Sequence, residues 1–400
     1  MKFSTRTFIY IGVAAIALTL LAFASWFYFL RAQQKEIDTA LEGRGAGVGA
    51  PSFGDAVGST YNNIVSTISS VFDREKGTTT PPRLYQINKS PTAGFGFLAS
   101  TTKLRFVERS TGYVFDVEPE TGALARVSNT LVPRVYEASV SRDGKIIEKT
   151  VGERVETSVA TITASSSEFV GFRLPDDVHA ITFNAAGSEI FAITETASGA
   201  VGVRAKWDGT GEKNVFSSAI SGWQVRSLSD GRIVLAQNPG SGVEGYAYTL
   251  DETGSLTPLA RGVGLTVLPR ASSAAILIGE SETSLTLSAR VDASASEVTL
   301  PVRTTADKCV WSPSVQLIAF CGVPQRPTGA LYLDLRARGQ AHTADSFWRV
   351  DVSGGSAELL YGPGDILLDV ENVQIDEQGR YIAFMNAIDK SFWVLRVAEQ

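Results

Sequence analysis

Few side chains in this sequence are equipped for chemistry. Thiol and imidazole work could fall only to Cys309, Cys321, His179 and His342, the sole cysteines and histidines in the chain. The cysteines flank Ser312-Pro313-Ser314-Val315-Gln316, and each lies six residues from Val315. A hairpin turning at Val315 makes them cross-strand neighbours. The pair is then a disulfide formed in an oxidising compartment, or two small buried hydrophobes that happen to be close. No further Cys or His stands nearby to complete a metal site.

A Ser-His-Asp arrangement is formally open to either histidine. However, the chain has no G-x-S-x-G elbow and leaves no room for the α/β domain that carries one. His179 follows Asp176-Asp177-Val178 and reads as a satisfied polar residue at a strand edge. Asp208-Gly209-Thr210-Gly211 and the turn from Asp251 to Gly254 lack the alternating ligands of a calcium loop. No strand precedes Gly45-Ala46-Gly47-Val48-Gly49, so it is no dinucleotide fingerprint. No cofactor is implied. With 36 Lys and Arg against 42 Asp and Glu, the net charge is -6, which argues against nucleic acid as a partner.

Repetition organises the rest. Thr102, Gly144, Gly187, Gly231, Ser273 and Val315 follow one another at intervals of 42 to 44 residues, and Gly379 follows after 64. Each lies in a tight turn between two strands, where glycine accepts the positive φ that a hairpin demands. Compact apolar runs follow the turns, as in Ile233-Val234-Leu235, Leu317-Ile318-Ala319-Phe320 and Tyr381-Ile382-Ala383-Phe384. Such runs mark strands buried on both faces. A second hairpin completes most units, as at Gly245 to Leu250 turning over Asp251 to Gly254. Two hairpins in about 43 residues make one blade of a β-propeller. The expected fold is all-β, a seven-bladed propeller over residues 83–400. The last unit ends at Phe392 to Val397 without an outer strand, and Arg83-Leu84-Tyr85-Gln86-Ile87 is a spare strand that can close the ring. Trp223, Trp311, Trp348 and Trp393 are expected to pack between blades, with glycan stacking the lesser alternative.

Trp311-Ser312-Pro313 with Leu317 to Phe320, and Asp376-Glu377-Gln378-Gly379-Arg380-Tyr381-Ile382-Ala383-Phe384, resemble the W-S-P-D-G-K-x-I-A-F signature of TolB-like propeller repeats. Only these two copies and Ser141 to Lys145 are close; Thr102, Ser273 and Val315 replace the turn glycine. The resemblance implies the fold. Its members include envelope-associated binding propellers and cap domains of peptidases, so it implies no single function.

Upstream, Phe8 to Leu30 runs for 23 residues without a charge, enough to cross a hydrocarbon core of about 30 Å as a helix. Trp26 and Tyr28 lie near one end, where aromatic rings favour the interface. Cleavage after Ala24 is the alternative reading, but it leaves Trp26 to Leu30 as an apolar new terminus. A tail of residues 1–7 is then cytoplasmic, 8–30 is a signal anchor in the lipid bilayer, and 31–80 is a flexible stalk. Within that stalk, Val57, Tyr61, Ile64, Val65, Ile68, Val71 and Phe72 could share one face of a short helix.

The long interval in the sixth unit marks an insertion of about 20 residues, between Pro324 and Phe347. It carries Arg326, Tyr332, Asp334, Arg336, Arg338, His342 and Asp345, the first candidates for partner binding. An extended hairpin or solvated loop is the plainer reading. Two functions follow: an interaction module for an envelope protein or glycan, or an extracytoplasmic lyase or hydrolase using carboxylates in the propeller channel.

Overall fold

The computed structural model describes residues 81–99, 101–162, 167–175 and 177–398. The tail, the apolar segment 8–30 and the stalk through residue 80 lie outside them, as does the apolar stripe of 57–72. Among the described residues no helix is long and apolar enough to cross a membrane.

Seven four-stranded antiparallel sheets form the fold. They are blades 1 (92–126), 2 (135–173), 3 (178–218), 4 (223–263), 5 (266–299), 6 (309–361) and 7, which joins 370–396 to Leu84–Asn88. All seven turns read from the repeats connect the first strand, A, of a blade to its second, B. Gly144 shows why glycine recurs there: its φ is 88°, a conformation that costs a residue with a Cβ. Ring closure follows the spare-strand reading. Leu84 pairs with Leu395, Tyr85 with Val394 and Gln86 with Trp393. Arg83 ties the joint further, its Nη2 donating to the carbonyl of Val397 at 3.0 Å.

Apolar layers between blades hold the ring together. B strands supply their centres, because a strand packed on both faces must be apolar throughout. Tyr381–Asn386, YIAFMN, is buried along its whole length. Trp223 joins the layer between blades 3 and 4 with Phe191, Phe216 and Leu235. Trp311 and Trp348 join the one between blades 5 and 6. Blades 1 and 2 approach most closely at their A strands: a Cβ on Gly94 would lie 1.7 Å from the carbonyl oxygen of Ala138. Any larger residue at Gly94 must push these strands apart.

Antiparallel connectivity sorts the connections onto two faces. A–B and C–D turns lie on one, here the turn face. B–C connections and the links between blades lie on the other, the loop face. The chain enters blade 7 at Arg83 on the turn face, because Leu84–Asn88 serves as a D strand and runs toward the loop face.

Cys309 and Cys321 are paired across strands A and B of blade 6 and form a disulfide, with Cα atoms 4.0 Å apart. Non-reducing peptide mapping of natively prepared protein is expected to recover the joined peptides. Reduction should lower stability by ~2–3 kcal/mol for so short a loop. Two free thiols in such a preparation would refute the pairing.

Candidate functional site

The blade 6 insertion is neither an extended hairpin nor a solvated loop. Its ends meet where the Gln325 amide donates to the carbonyl of Ala344 at 2.8 Å. Between them helix α1, Tyr332–Ala337, crosses the loop face of blade 5 and reaches blade 4. Tyr332 and Leu333 are buried against Leu285 of blade 5. The Ser241 amide of blade 4 donates to Asp334 Oδ1 at 2.9 Å, and the Asp334 amide donates to Ser241 Oγ at 3.2 Å. The insertion is therefore a lid over one side of the channel.

Its seven candidate residues divide by position. Asp334 fastens α1 to Ser241 of blade 4. Tyr332 is buried beneath the helix, and its hydroxyl finds no partner among the described residues. Arg336 turns into the channel, where it donates to Asp307 Oδ2 at 2.8 Å and to Thr305 Oγ1 at 3.3 Å. His342 Nδ1 lies 3.0 Å from Asp369 Oδ2. Asp345 is fully buried at the end of the insertion, against Lys308. Arg326 and Arg338 alone extend outward into solvent.

Lys308 anchors the lid. The lysine is fully buried and uses all three of its N–H bonds: on Asp369 Oδ1 at 2.6 Å, Thr343 Oγ1 at 2.6 Å and Asp345 Oδ2 at 2.7 Å. Burial alone would favour the neutral amine, but the two carboxylates outweigh it and raise the lysine pKa. Blade 6, the insertion and the first strand of blade 7 thus meet on one ammonium group.

Beneath the lid lie two cavities of about 490 and 830 Å³. Both are lined by Gln224, Val225, Arg226, Asn238, Asp307, Arg336 and Glu371, so they are parts of one channel. The walls are A strands, whose alternation decides what faces inward: in Trp223–Ser227 the tryptophan is buried while Gln224 and Arg226 are open to the channel. Most charges there are paired. Lys149 Nζ lies 3.1 Å from Glu137 and donates to the His179 carbonyl at 2.9 Å. His179 Nδ1 is 3.7 Å from Glu195, and Lys390 holds Glu371 at 2.8 Å. His179 therefore lies on a channel-lining strand, inside the ring rather than at a blade's outer edge.

Asp307 occupies the short 3-10 turn Ala306–Lys308 between blades 5 and 6. Enclosure pushes its carboxyl up, but Arg336, Thr305 and Lys308 outweigh that and hold it at about 2. Its Oδ1 accepts no hydrogen bond from the described residues. Arg226 differs from the other channel cations: no hydrogen bond or ion pair forms on its guanidinium among the described residues. It is open to channel solvent, with the walls of the ring around it. That enclosure lowers its pKa, opposed by Asp307.

The loop face is also the more apolar one. Of fifteen large hydrophobic side chains exposed among the described residues, nine are on that face: Leu131, Ile220, Val243, Leu331, Ile366, Leu367 and Ile388 in its connections, and Val151 and Val155 at the strand ends beside one. Leu256, Val291 and Val315 are on the turn face.

Sequence reasoning found the lid segment but missed Arg226, Asp307, Lys308, Glu371 and Asp369. A-strand alternation could have singled out Arg226 and Glu371, whereas Asp307, Lys308 and Asp369 lie just before A strands and carry no such signal.

No protein-family model and no characterised protein matches the sequence. Its fold matches solved β-propellers. Virginiamycin B lyase from Staphylococcus aureus superposes with a TM-score of 0.52 at 13% identity, over 79% of this chain and 98% of that one. An oligogalacturonate lyase in complex with manganese gives 0.57 at 9% identity, over 82% and 96%. YCF48 from Cyanidioschyzon merolae gives 0.52 at 12% identity, over 79% and 99%. At these identities the likeness is one of fold, and the chain is a seven-bladed β-propeller.

Proposed function

We propose that the chain is a membrane-anchored, extracytoplasmic propeller of TolB-like kinship that binds an envelope protein or glycan through its loop face. Residues 8–30 hold it in the bilayer by a single pass, and the stalk gives it reach. One observation carries the binding reading: the lid, the channel mouth and nine of the fifteen exposed large hydrophobics share the face opposite the point where the chain enters the ring. Exposed apolar side chains gathered on one face mark interaction sites. The alternative, a lyase or hydrolase, needs a free carboxylate pair for acid–base work. Glu137, Glu195, Asp307, Asp369 and Glu371 each stand beside a cationic or imidazole side chain instead.

The test is site-specific photocrosslinking in intact cells. A crosslinker at Leu331 or Leu367 is expected to trap one recurring envelope component, and the same group at Val315 on the turn face is expected to trap none. Equal or absent capture from the two faces would overturn the assignment.

A further inference from the structure

Arg226 is the channel's one uncommitted cation among the described residues, and the polar groups beside it can still form hydrogen bonds. The side-chain amides of Gln224 and Asn238 form no hydrogen bonds with described residues, and Asp307, held by Arg336 through Oδ2, keeps 40% of its side chain exposed. All four open into the volume shared by the two cavities. At about 490 and 830 Å³ these are large enough for a small molecule or the end of a chain.

The charges restrict what fits. A guanidinium offers a planar fork that matches a carboxylate with two parallel hydrogen bonds. A phosphate dianion needs a second free cation, and Arg336, Lys149 and Lys390 are held by Asp307, Glu137 and Glu371. Those same carboxylates would repel the extra charge. A monocarboxylate meets neither obstacle. The exposed edge of Asp307, which interacts electrostatically with Arg226, can then take a donor close to that carboxylate. A hydroxyl or an amide N–H serves, and Gln224 and Asn238 can take further hydroxyls or amides.

We propose that the lidded channel is a binding site for a monocarboxylate bearing an adjacent hydroxyl or amide N–H, with the acid group on Arg226 and the donor on Asp307. This deepens the loop-face reading by giving the channel mouth a ligand of its own. Hydroxy acids and the carboxyl ends of peptides share this chemistry.

Calorimetric titration of the detergent-solubilised full chain separates the two sources. The probes are D-gluconate, L-alanyl-L-alanine, acetate and inorganic phosphate. Gluconate or the dipeptide is expected to bind ~10-fold or more tighter than acetate, and whichever leads identifies the source. Arg226→Gln should weaken the leading probe ~10- to 100-fold, the loss expected for hydrogen bonds to a charged partner. Asp307→Asn should erase the preference over acetate. Arg226 supports no hydrogen bond in the fold, so the variant should melt like wild type. If it does not, Arg226→Lys keeps the charge without the fork and should still lose most of the affinity. Binding led by phosphate, equal binding by Arg226→Gln, or no binding by any probe would overturn the site. Crosslinking at Leu331 and Leu367 would be unaffected, so failure here is distinct from failure of the surface reading.

Discussion

Lys308→Met should destabilise the propeller by ~3–5 kcal/mol, the cost of leaving buried charges without their partner. The lysine is fully enclosed, and both Asp345 and Asp369 depend on it. Methionine fills the space but leaves two carboxylates facing each other without a cation. The penalty carries a pH signature. Burial pushes the Asp369 carboxyl up, yet Lys308, His342 and Thr343 outweigh it and hold it below its ordinary value. A depressed folded pKa gives stability that is present above the unfolded value and lost as pH falls through the folded one. The deficit of the variant is therefore greatest at neutral pH and shrinks in acid, where the Asp369 carboxyl takes up its proton. Urea unfolding at pH 7 and pH 4 measures both arms. A loss below ~1 kcal/mol at pH 7 would place this cluster among weak surface pairs. Because Thr343 and Asp345 belong to the lid's return, the variant should also expose the insertion to protease before the ring unfolds.

The second large effect runs the other way. Glu148, in the B strand of blade 2, is 3% exposed, and its Oε1 has no hydrogen-bond partner. Desolvation alone raises its pKa from 4.5 to about 7. The folded state therefore binds the proton more tightly than the unfolded chain does. Its contribution is fully present below about pH 4.5 and is lost as pH rises to about 7, after which it changes no further. Glu148→Met should stabilise the protein at pH 8 by roughly 3 kcal/mol, the free-energy equivalent of that shift. It should also flatten the decline between pH 5 and 7. Melting curves across that range, wild type beside variant, decide it. Parallel curves would mean that Glu148 reaches water or a partner.

The difference between what was legible in the sequence and what was not has a physical cause. Turn glycines such as Gly144 and Gly379, and buried runs such as Tyr381 to Phe384, are local signals that a sequence displays directly. The disulfide and the closing strand were legible because symmetry about a turn, or a strand missing from a count, fixes a partner without coordinates. The channel offered no such handle. Lys308 meets Asp345 and Asp369 across 37 and 61 residues, and neither interval is a multiple of the blade period. Arg226 matters because of what is absent around it, which no spacing records. The lid helix, six residues long, is too short to show a helical period. Its one apolar contact comes from the adjacent pair Tyr332 and Leu333, which reads equally well as loop.

Ring closure sets a condition on biogenesis. Leu84 lies opposite Leu395, so the first of the described strands to emerge during synthesis waits for the last of them. Blades 1 to 6 can assemble in order as they appear, yet the circle has an open seam until Phe392–Arg396 has emerged. Sealing is therefore a single late event of very high contact order. Until then two strand edges stay sticky, a window in which a chaperone, or a neighbouring nascent copy trading its first strand, can intervene.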